Sequence, residues 1–182
     1  KNLQNMVRLA QLYRVADKFD RAAEAYEAAL ALAKDDKKAP YIQLLREAAY
    51  FYADPEVNRP ADGEGLLEEA LLKTEAPADK AQLAIFLARF YESQQRISTA
   101  ERHILMAVSH DTSTSVLMAA AEYFSRNNKL RDAIEYYERA AKSGAVDERM
   151  VHARLFSLSM ALRDYDRAKT EIDAYIKQYP SD

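Results

Sequence analysis

The chain has no cysteine and no tryptophan, and only three glycines and five prolines among 182 residues. Without cysteine there is no disulfide, no thiol nucleophile and no cysteine-ligated metal. So few glycines and prolines leave little room for long coil, because these residues punctuate most turns and loops. Neither charge dominates: 26 basic and 29 acidic residues give a net charge of −3. That balance argues against the basic stripe of a nucleic-acid footprint. No apolar run approaches the roughly 18 residues a membrane span requires, and no signal peptide opens the chain. A Gly-x-x-x-x-Gly-Lys phosphate loop and a Gly-x-Ser-x-Gly turn are both absent, so two common catalytic frameworks drop out.

What is present is helix-forming and periodic. Hydrophobic residues make up 49% of the chain, and Ala, Leu, Glu, Lys, Arg and Gln dominate the composition, all favourable in helices. One phrase recurs with drifting letters, anchored on an alanine at Ala22, Ala100, Ala133 and Ala168. The first gap is 78 residues, two periods of 39, and the next are 33 and 35. A period in the thirties indicates a stacked helical array, in which each unit buries its apolar face on its neighbours.

The similarity reaches beyond one helix. Tyr13, Tyr91, Phe124 and Ser159 stand nine residues before the anchors, and Leu9, Leu87, Ala120 and Leu155 thirteen before. Ala10, Ala88, Ala121 and Phe156 stand twelve before, and Ala29, Ala107, Ala140 and Tyr175 seven after. These spacings place small and aromatic residues on one face of a first helix and alanines two turns apart on a second. A degraded second unit carries Leu45, Ala48, Ala49 and Tyr52, then Gly63, Leu67, Ala70 and Leu71. An insertion of about two residues makes its internal loop, Asp54 to Gly65, longer and less regular; Pro60 is compatible with a helix start there.

Polar connectors separate the units: Lys34–Pro40, Thr74–Asp79, Ser109–Thr114 and Ser143–Asp147. Asp79 and Asp147 are expected N-caps, their short acceptors satisfying the first free amides. The expectation is ten helices of about 10 to 15 residues. They form one repeat domain of five units, about 1–37, 38–77, 78–112, 113–146 and 147–182. Because the chain begins with Lys1 and both ends fall near repeat boundaries, a segment excised from a longer array is expected.

Chemistry finds few candidates. His103, His110 and His152 complete no metal-binding spacing such as His-Glu-x-x-His, and read as surface or groove-edge residues. Ser113, Thr114 and Ser115 beside His110 and Asp111 read as turn and capping chemistry. Glu68-Glu69 and Asp35-Asp36 read as solvated charge. No active site, metal or cofactor is expected. Tyr13, Tyr26, Tyr52, Tyr91 and Tyr137 occupy repeat-forming positions; Tyr165, like Phe19, Ile97 and Leu130, is expected to pack a turn. Tyr175, Ile176 and Tyr179 would leave an apolar face on a terminal helix, to be covered by a further repeat or by a second copy.

These residues resemble the tetratricopeptide repeat family. The set Leu9-Ala10, Tyr13, Ala22, Tyr26 and Ala29 carries the likeness in the first unit, and Phe124, Ala133, Tyr137 and Ala140 in the fourth. Pro180 falls where the family often ends a repeat. The family's tryptophan is replaced by Met6, Leu45, Ala84, Leu117 and His152, and Phe156 stands where a small residue normally lets two helices close. The fifth hairpin is therefore expected to splay or shift register.

The resemblance implies an all-α, right-handed superhelical solenoid of antiparallel helix hairpins that binds a protein or peptide partner. In the family the first helix of each hairpin lines the concave face, which here puts Gln11, Tyr50, Arg89 and Glu122 in one row and Val7, Arg46, Ile85 and Met118 in another. Met150 and Met160 add apolar surface further on. Family members that hold acidic chaperone tails place a lysine, two asparagines, a lysine and an arginine at positions that here read Val7, Gln11, Glu47, Gln82 and Phe86, so that role is not expected. The alanine-rich style is similar to bacterial envelope arrays serving exopolysaccharide export or secretion, in the periplasm or alternatively the cytoplasm. A structural spacer, or self-association through the C-terminal helix, is the other expectation.

Overall fold

Alanine-rich periodicity of this kind dictates helix, and the computed structural model contains ten helices and no strand among its described residues, 2–34, 41–144 and 147–179. Most of the first connector, with Asp35-Asp36, as well as Ala145, Val146 and Pro180, lies outside them. The chain divides into two compact units, residues 1–95 and 96–182.

The first unit holds α1 (Leu3–Val15), α2 (Phe19–Lys34), α3 (Tyr41–Ala53), α4 (Pro60–Lys73) and α5 (Pro77–Ser93). Helices α1 and α2 pair as one hairpin and α3 and α4 as the next, with α2 against α3 and α4 against α5. Two helices exceed the expected length: α2 has 16 residues and α5 has 17. The closest approaches fall at the small residues. Ala10, Ala22, Ala48 and Ala49 are fully enclosed, and Gly63 meets the backbone of Ala49 so closely that a Cβ there would stand 2.5 Å from the Ala49 carbonyl oxygen. Beside this crossing the rings of Tyr26 and Phe51 fill the space, 5.1 Å apart.

Tyrosine hydroxyls tie successive hairpins together. Tyr26 donates to Glu47 Oε1 at 3.0 Å, and Tyr52 to Glu27 Oε1 at 3.3 Å. Tyr91 donates to Glu64 and Glu68 at 2.9 and 2.8 Å. Each ring thus packs in the core while its polar tip crosses to a glutamate of the neighbouring hairpin, the usual solution for a buried phenol. Glu68, read from sequence as solvated charge, is instead an acceptor in this network.

The second unit holds α6 (Ile97–His110), α7 (Thr114–Arg126), α8 (Leu130–Ala141), α9 (Glu148–Ala161) and α10 (Tyr165–Gln178). Here α7 pairs with α8 and α9 with α10, while α6 lies on α7 and α8 on α9. Ala121 on α7 and Ala133 on α8 are fully buried, and Phe124 stacks on Tyr136 at 5.2 Å with the rings nearly parallel. The fifth hairpin keeps its register despite Phe156: Leu155 and Ala168 are buried, and Phe156 turns half outward. Ser159, in the place other units give to an aromatic, is fully enclosed with its hydroxyl unpartnered.

Among the described residues five non-glycine residues have left-handed backbone: Asp17 (φ 55°), Asn58 (52°), Gln95 (61°), Asn128 (58°) and Arg163 (59°). Every one stands five residues before a small anchor, counting Gly63 with the alanines. The amide that follows closes the helix end on the carbonyl of the aromatic position: Lys18 to Tyr13 at 2.9 Å, Arg59 to Tyr52 at 2.8 Å, Lys129 to Phe124 and Asp164 to Ser159 both at 2.9 Å. This left-handed cap satisfies carbonyls the helix would otherwise leave free. A left-handed L-residue costs about 1–2 kcal/mol, less for Asn or Asp. Arg163→Gly is therefore expected to stabilise the fold by about 1 kcal/mol, and Asn128→Gly to change little. Urea denaturation followed by circular dichroism checks both; equal effects at the two sites would contradict this account.

Several sequence expectations are corrected. Helix α5 begins at Pro77 with Ala76 as N-cap, so Asp79 sits in the first turn, where its charge complements the helix dipole. Asp147 is an N-cap, accepting from the Arg149 amide at 3.0 Å, and Asn2 and Asp164 cap α1 and α10 in the same way. The α3–α4 loop spans 54–59, six residues against three in the α1–α2 turn, but Gly63 and Gly65 belong to α4, which Pro60 opens. His103 is buried within α6 rather than lying at a surface. Tyr165 is exposed rather than packed on its turn.

Candidate functional site

On the first unit, α1, α3 and α5 carry six of the eight residues singled out from sequence. They fall into two groups. Val7 and Gln11 line a cavity of about 540 Å³ between α1 and α3, together with Leu3, Gln43, Leu44 and Glu47. Gln11 Nε2 donates to Glu47 Oε1 at 2.9 Å, the same oxygen that receives the Tyr26 hydroxyl. Glu47 is therefore already engaged twice, which fixes the wall of the cavity.

Arg46, Tyr50 and Arg89 form the second group, between α3 and α5. The Arg46 guanidinium lies over the Phe86 ring, 5.1 Å from its centroid, a stacking that orients the planar cation. Tyr50 is half-exposed and meets Phe90 edge-on at 5.9 Å. Burial raises the Tyr50 phenol above its usual value, Arg89 and then Arg46 pull it down, and Glu92 pushes it up. Both guanidinium groups thus act on one phenol. Neither Arg46 nor Arg89 forms an ion pair among the described residues, whereas Arg14 meets Asp54 at 3.7 Å and Arg59 pairs with Asp62. Ile85, one turn before Arg89 on α5, is half-buried.

Met118 and Glu122 belong to α7 of the second unit and are half-buried. The Glu122 charge acts on Tyr137, whose phenol is raised chiefly by burial and lowered by Arg154. In the same unit His152 Nδ1 lies 2.8 Å from Glu171 Oε2, and Arg167 joins Glu138 at 2.6 Å. Ser113 bonds Asp111 through both its amide and its hydroxyl at 2.8 Å, which is the turn chemistry expected there. Among the described residues no group of three or more His, Asp or Glu is placed to hold a metal ion. No helix among them is long and apolar enough to cross a membrane.

Sequence spacing found Arg46, Tyr50 and Arg89 but not what supports them. Phe86 and Phe90 are one turn apart on α5, as Arg46 and Tyr50 are on α3. Paired i,i+4 patterns on two facing helices were the available signal. Phe86, one of the positions compared with the chaperone-tail binders, is buried beneath Arg46.

Residues 6–40, covering most of α1, all of α2 and the connector up to α3, match the family model of the tetratricopeptide repeat. This is a tetratricopeptide-repeat fold. Solved structures extend the likeness over the chain. PilW, a widely conserved type IV pilus biogenesis factor, is 16% identical with a TM-score of 0.65, over 100% of this chain and 80% of PilW. PilF of Pseudomonas aeruginosa is 19% identical with a TM-score of 0.57, over 100% of this chain and 78% of that one. The nearly identical TPR-like repeats of a Podospora anserina kinesin light chain are 16% identical with a TM-score of 0.62, over 98% and 96%. No curated protein sequence matches this chain. Tetratricopeptide repeats generally serve as non-catalytic scaffolds for other proteins.

Proposed function

We propose that this protein is a non-catalytic interaction scaffold, a single array over 1–182 that holds a partner protein or peptide on its first helices. Val7, Gln11, Arg46, Tyr50, Ile85 and Arg89 make the contact in the first unit, and Met118 and Glu122 add a patch in the second. The observation that carries this reading is the pair Arg46 and Arg89, both acting on Tyr50 and neither paired with a carboxylate of its own chain. Exposed cations left without a carboxylate partner, one of them oriented on the Phe86 ring, are what an interface supplies to another molecule. A role in bacterial envelope assembly, such as exopolysaccharide export or secretion, is the setting we favour. Its support is the fold shared with PilW, described as a pilus biogenesis factor.

The test is capture of partners from source lysate with the wild-type chain and with Arg46→Glu plus Arg89→Glu. The variant should keep its circular dichroism spectrum and lose the captured partner. A partner retained at full yield by a folded variant would move the interface elsewhere. Self-association is the second reading. It draws on Ile176, 57% exposed on α10 beside the Tyr175–Tyr179 ring pair. Light scattering across concentration decides it, and a strictly monomeric chain would end it.

A further inference from the structure

Helix α3 presents two recognition features side by side. Gln43 and Glu47 face the α1–α3 cavity, while Arg46 and Tyr50 face α5, and the four alternate along α3 at spacings of three and four, which is one helix face. The cavity has an apolar floor of Leu3, Val7 and Leu44, with the amides of Gln11 and Gln43 beside it. Its one carboxylate, Glu47, already accepts from Gln11 and Tyr26 and is not an open lure for a cation. Across α3 stand two guanidinium groups, Arg46 stacked on Phe86 and Arg89 exposed, neither in an ion pair among the described residues.

We propose that the partner presents an extended segment that places an apolar side chain in the α1–α3 cavity and a carboxylate, about three residues away, between Arg46 and Arg89. The inference rests on the scaffold reading and specifies its occupant. Charge complementarity selects the carboxylate: the guanidinium fork matches its two oxygens, and both cations act on the Tyr50 phenol between α3 and α5. Geometry selects the spacing. The α1–α3 and α3–α5 grooves are one helix apart, about 9 Å, and an extended chain in the polyproline II conformation covers that in three residues at about 3.1 Å each, a full turn that returns the side chain to the same face. A helical ligand holds side chains three or four residues apart at only about 5–6 Å, and would need anchors seven residues apart, about 10.5 Å, to reach both features, so the anchor spacing distinguishes the two. Amide groups at the cavity rim suit an extended backbone, whose N–H and C=O groups are free to bond.

A random eight-residue peptide library, displayed on phage and panned against the full chain, tests this. The enriched peptides should share a large apolar residue and an Asp or Glu three residues apart. A synthetic peptide made from that pool should lose at least tenfold in affinity when its acid becomes the amide, measured by fluorescence anisotropy. Arg46→Glu with Arg89→Glu should cost a similar factor, and the amide peptide should lose little further on that variant. Val7→Arg should weaken binding through the cavity alone. Arg46→Lys with Arg89→Lys, which keeps the charge and removes the fork, should fall between wild type and reversal, and it guards against a misfolded reversal variant. Enriched peptides without an acid, or binding indifferent to the two arginines, would overturn this inference and leave the scaffold reading standing. A library that yields no peptide overturns it too, and the scaffold reading falls with it only if the partner capture is also blank.

Discussion

Gly63→Ala is expected to destabilise the fold by about 1–3 kcal/mol, the range for overpacking a close contact, while Gly65→Ala stabilises it by about 1 kcal/mol. Both glycines lie in α4, two residues apart, and neither has a left-handed backbone. By helix propensity alone each should prefer alanine. At Gly65 nothing stands within 4 Å of an added Cβ, so propensity decides the sign. At Gly63 the added carbon would meet the Ala49 carbonyl oxygen at 2.5 Å, with the Ala49 Cα and carbonyl carbon at 3.2 Å. These are backbone atoms of α3, which cannot swing aside as a side chain can. The two helices would have to part, loosening Leu67 and Tyr52 with them. Thermal or urea unfolding of the two variants is the measurement. Stabilisation at both sites would show that α3 and α4 are not held this close.

Alkali is expected to unfold this protein in the window from pH 10 to 12. Burial first, and then the facing Glu27 carboxylate, pushes the Tyr52 phenol up to about 12 from the ordinary 10.0. Tyr26 is raised by burial and Glu47, and Tyr91 by burial and its hydrogen bonds to Glu68 and Glu64. A raised phenol means the folded chain keeps a proton that the unfolded chain releases. The resulting stability is complete below pH 10 and is lost as pH rises through the folded values. The physical event is a phenolate forming opposite a carboxylate inside the contact between two hairpins. Urea midpoints at pH 9, 10, 11 and 12 should fall steeply, and absorbance at 295 nm should show a group of tyrosines titrating late, together with the loss of helix. Tyr52→Phe should soften the slope. Twelve tyrosines all titrating near pH 10 with the helices intact would contradict the picture.

Most of the fold was legible because it is written in residue size. Ala10 with Ala22, and Ala121 with Ala133, stand out as small residues in a periodic apolar frame, and steric closeness leaves no alternative at those positions. The left-handed turn residue was not legible. Asp, Asn, Gln, Asn and Arg share no side-chain property; what they share is a backbone angle imposed by the helix on either side. Tyr165 was misjudged from its place in the repeat, which it shares with Phe19, Ile97 and Leu130; its ring is exposed all the same. The candidate site was half legible. Arg46 and Arg89 stand out where the repeat calls for neither size nor charge, but the engagement of Glu47 by Gln11 and Tyr26 needs three helices in place before it exists.

The left-handed residue also separates two tasks within each hairpin. Closing the angle is done by the last two turn residues and the carbonyl they reach; the residues before them carry no such duty. In the second hairpin two more residues stand between Tyr52 and Asn58 than between Tyr13 and Asp17, yet Arg59 still reaches the Tyr52 carbonyl at 2.8 Å and Asn58 still holds the left-handed angle. Length can therefore vary at one edge of the repeat without the helices feeling it. New sequence, and with it new specificity, can enter between α3 and α4 without the hairpin having to be rebuilt.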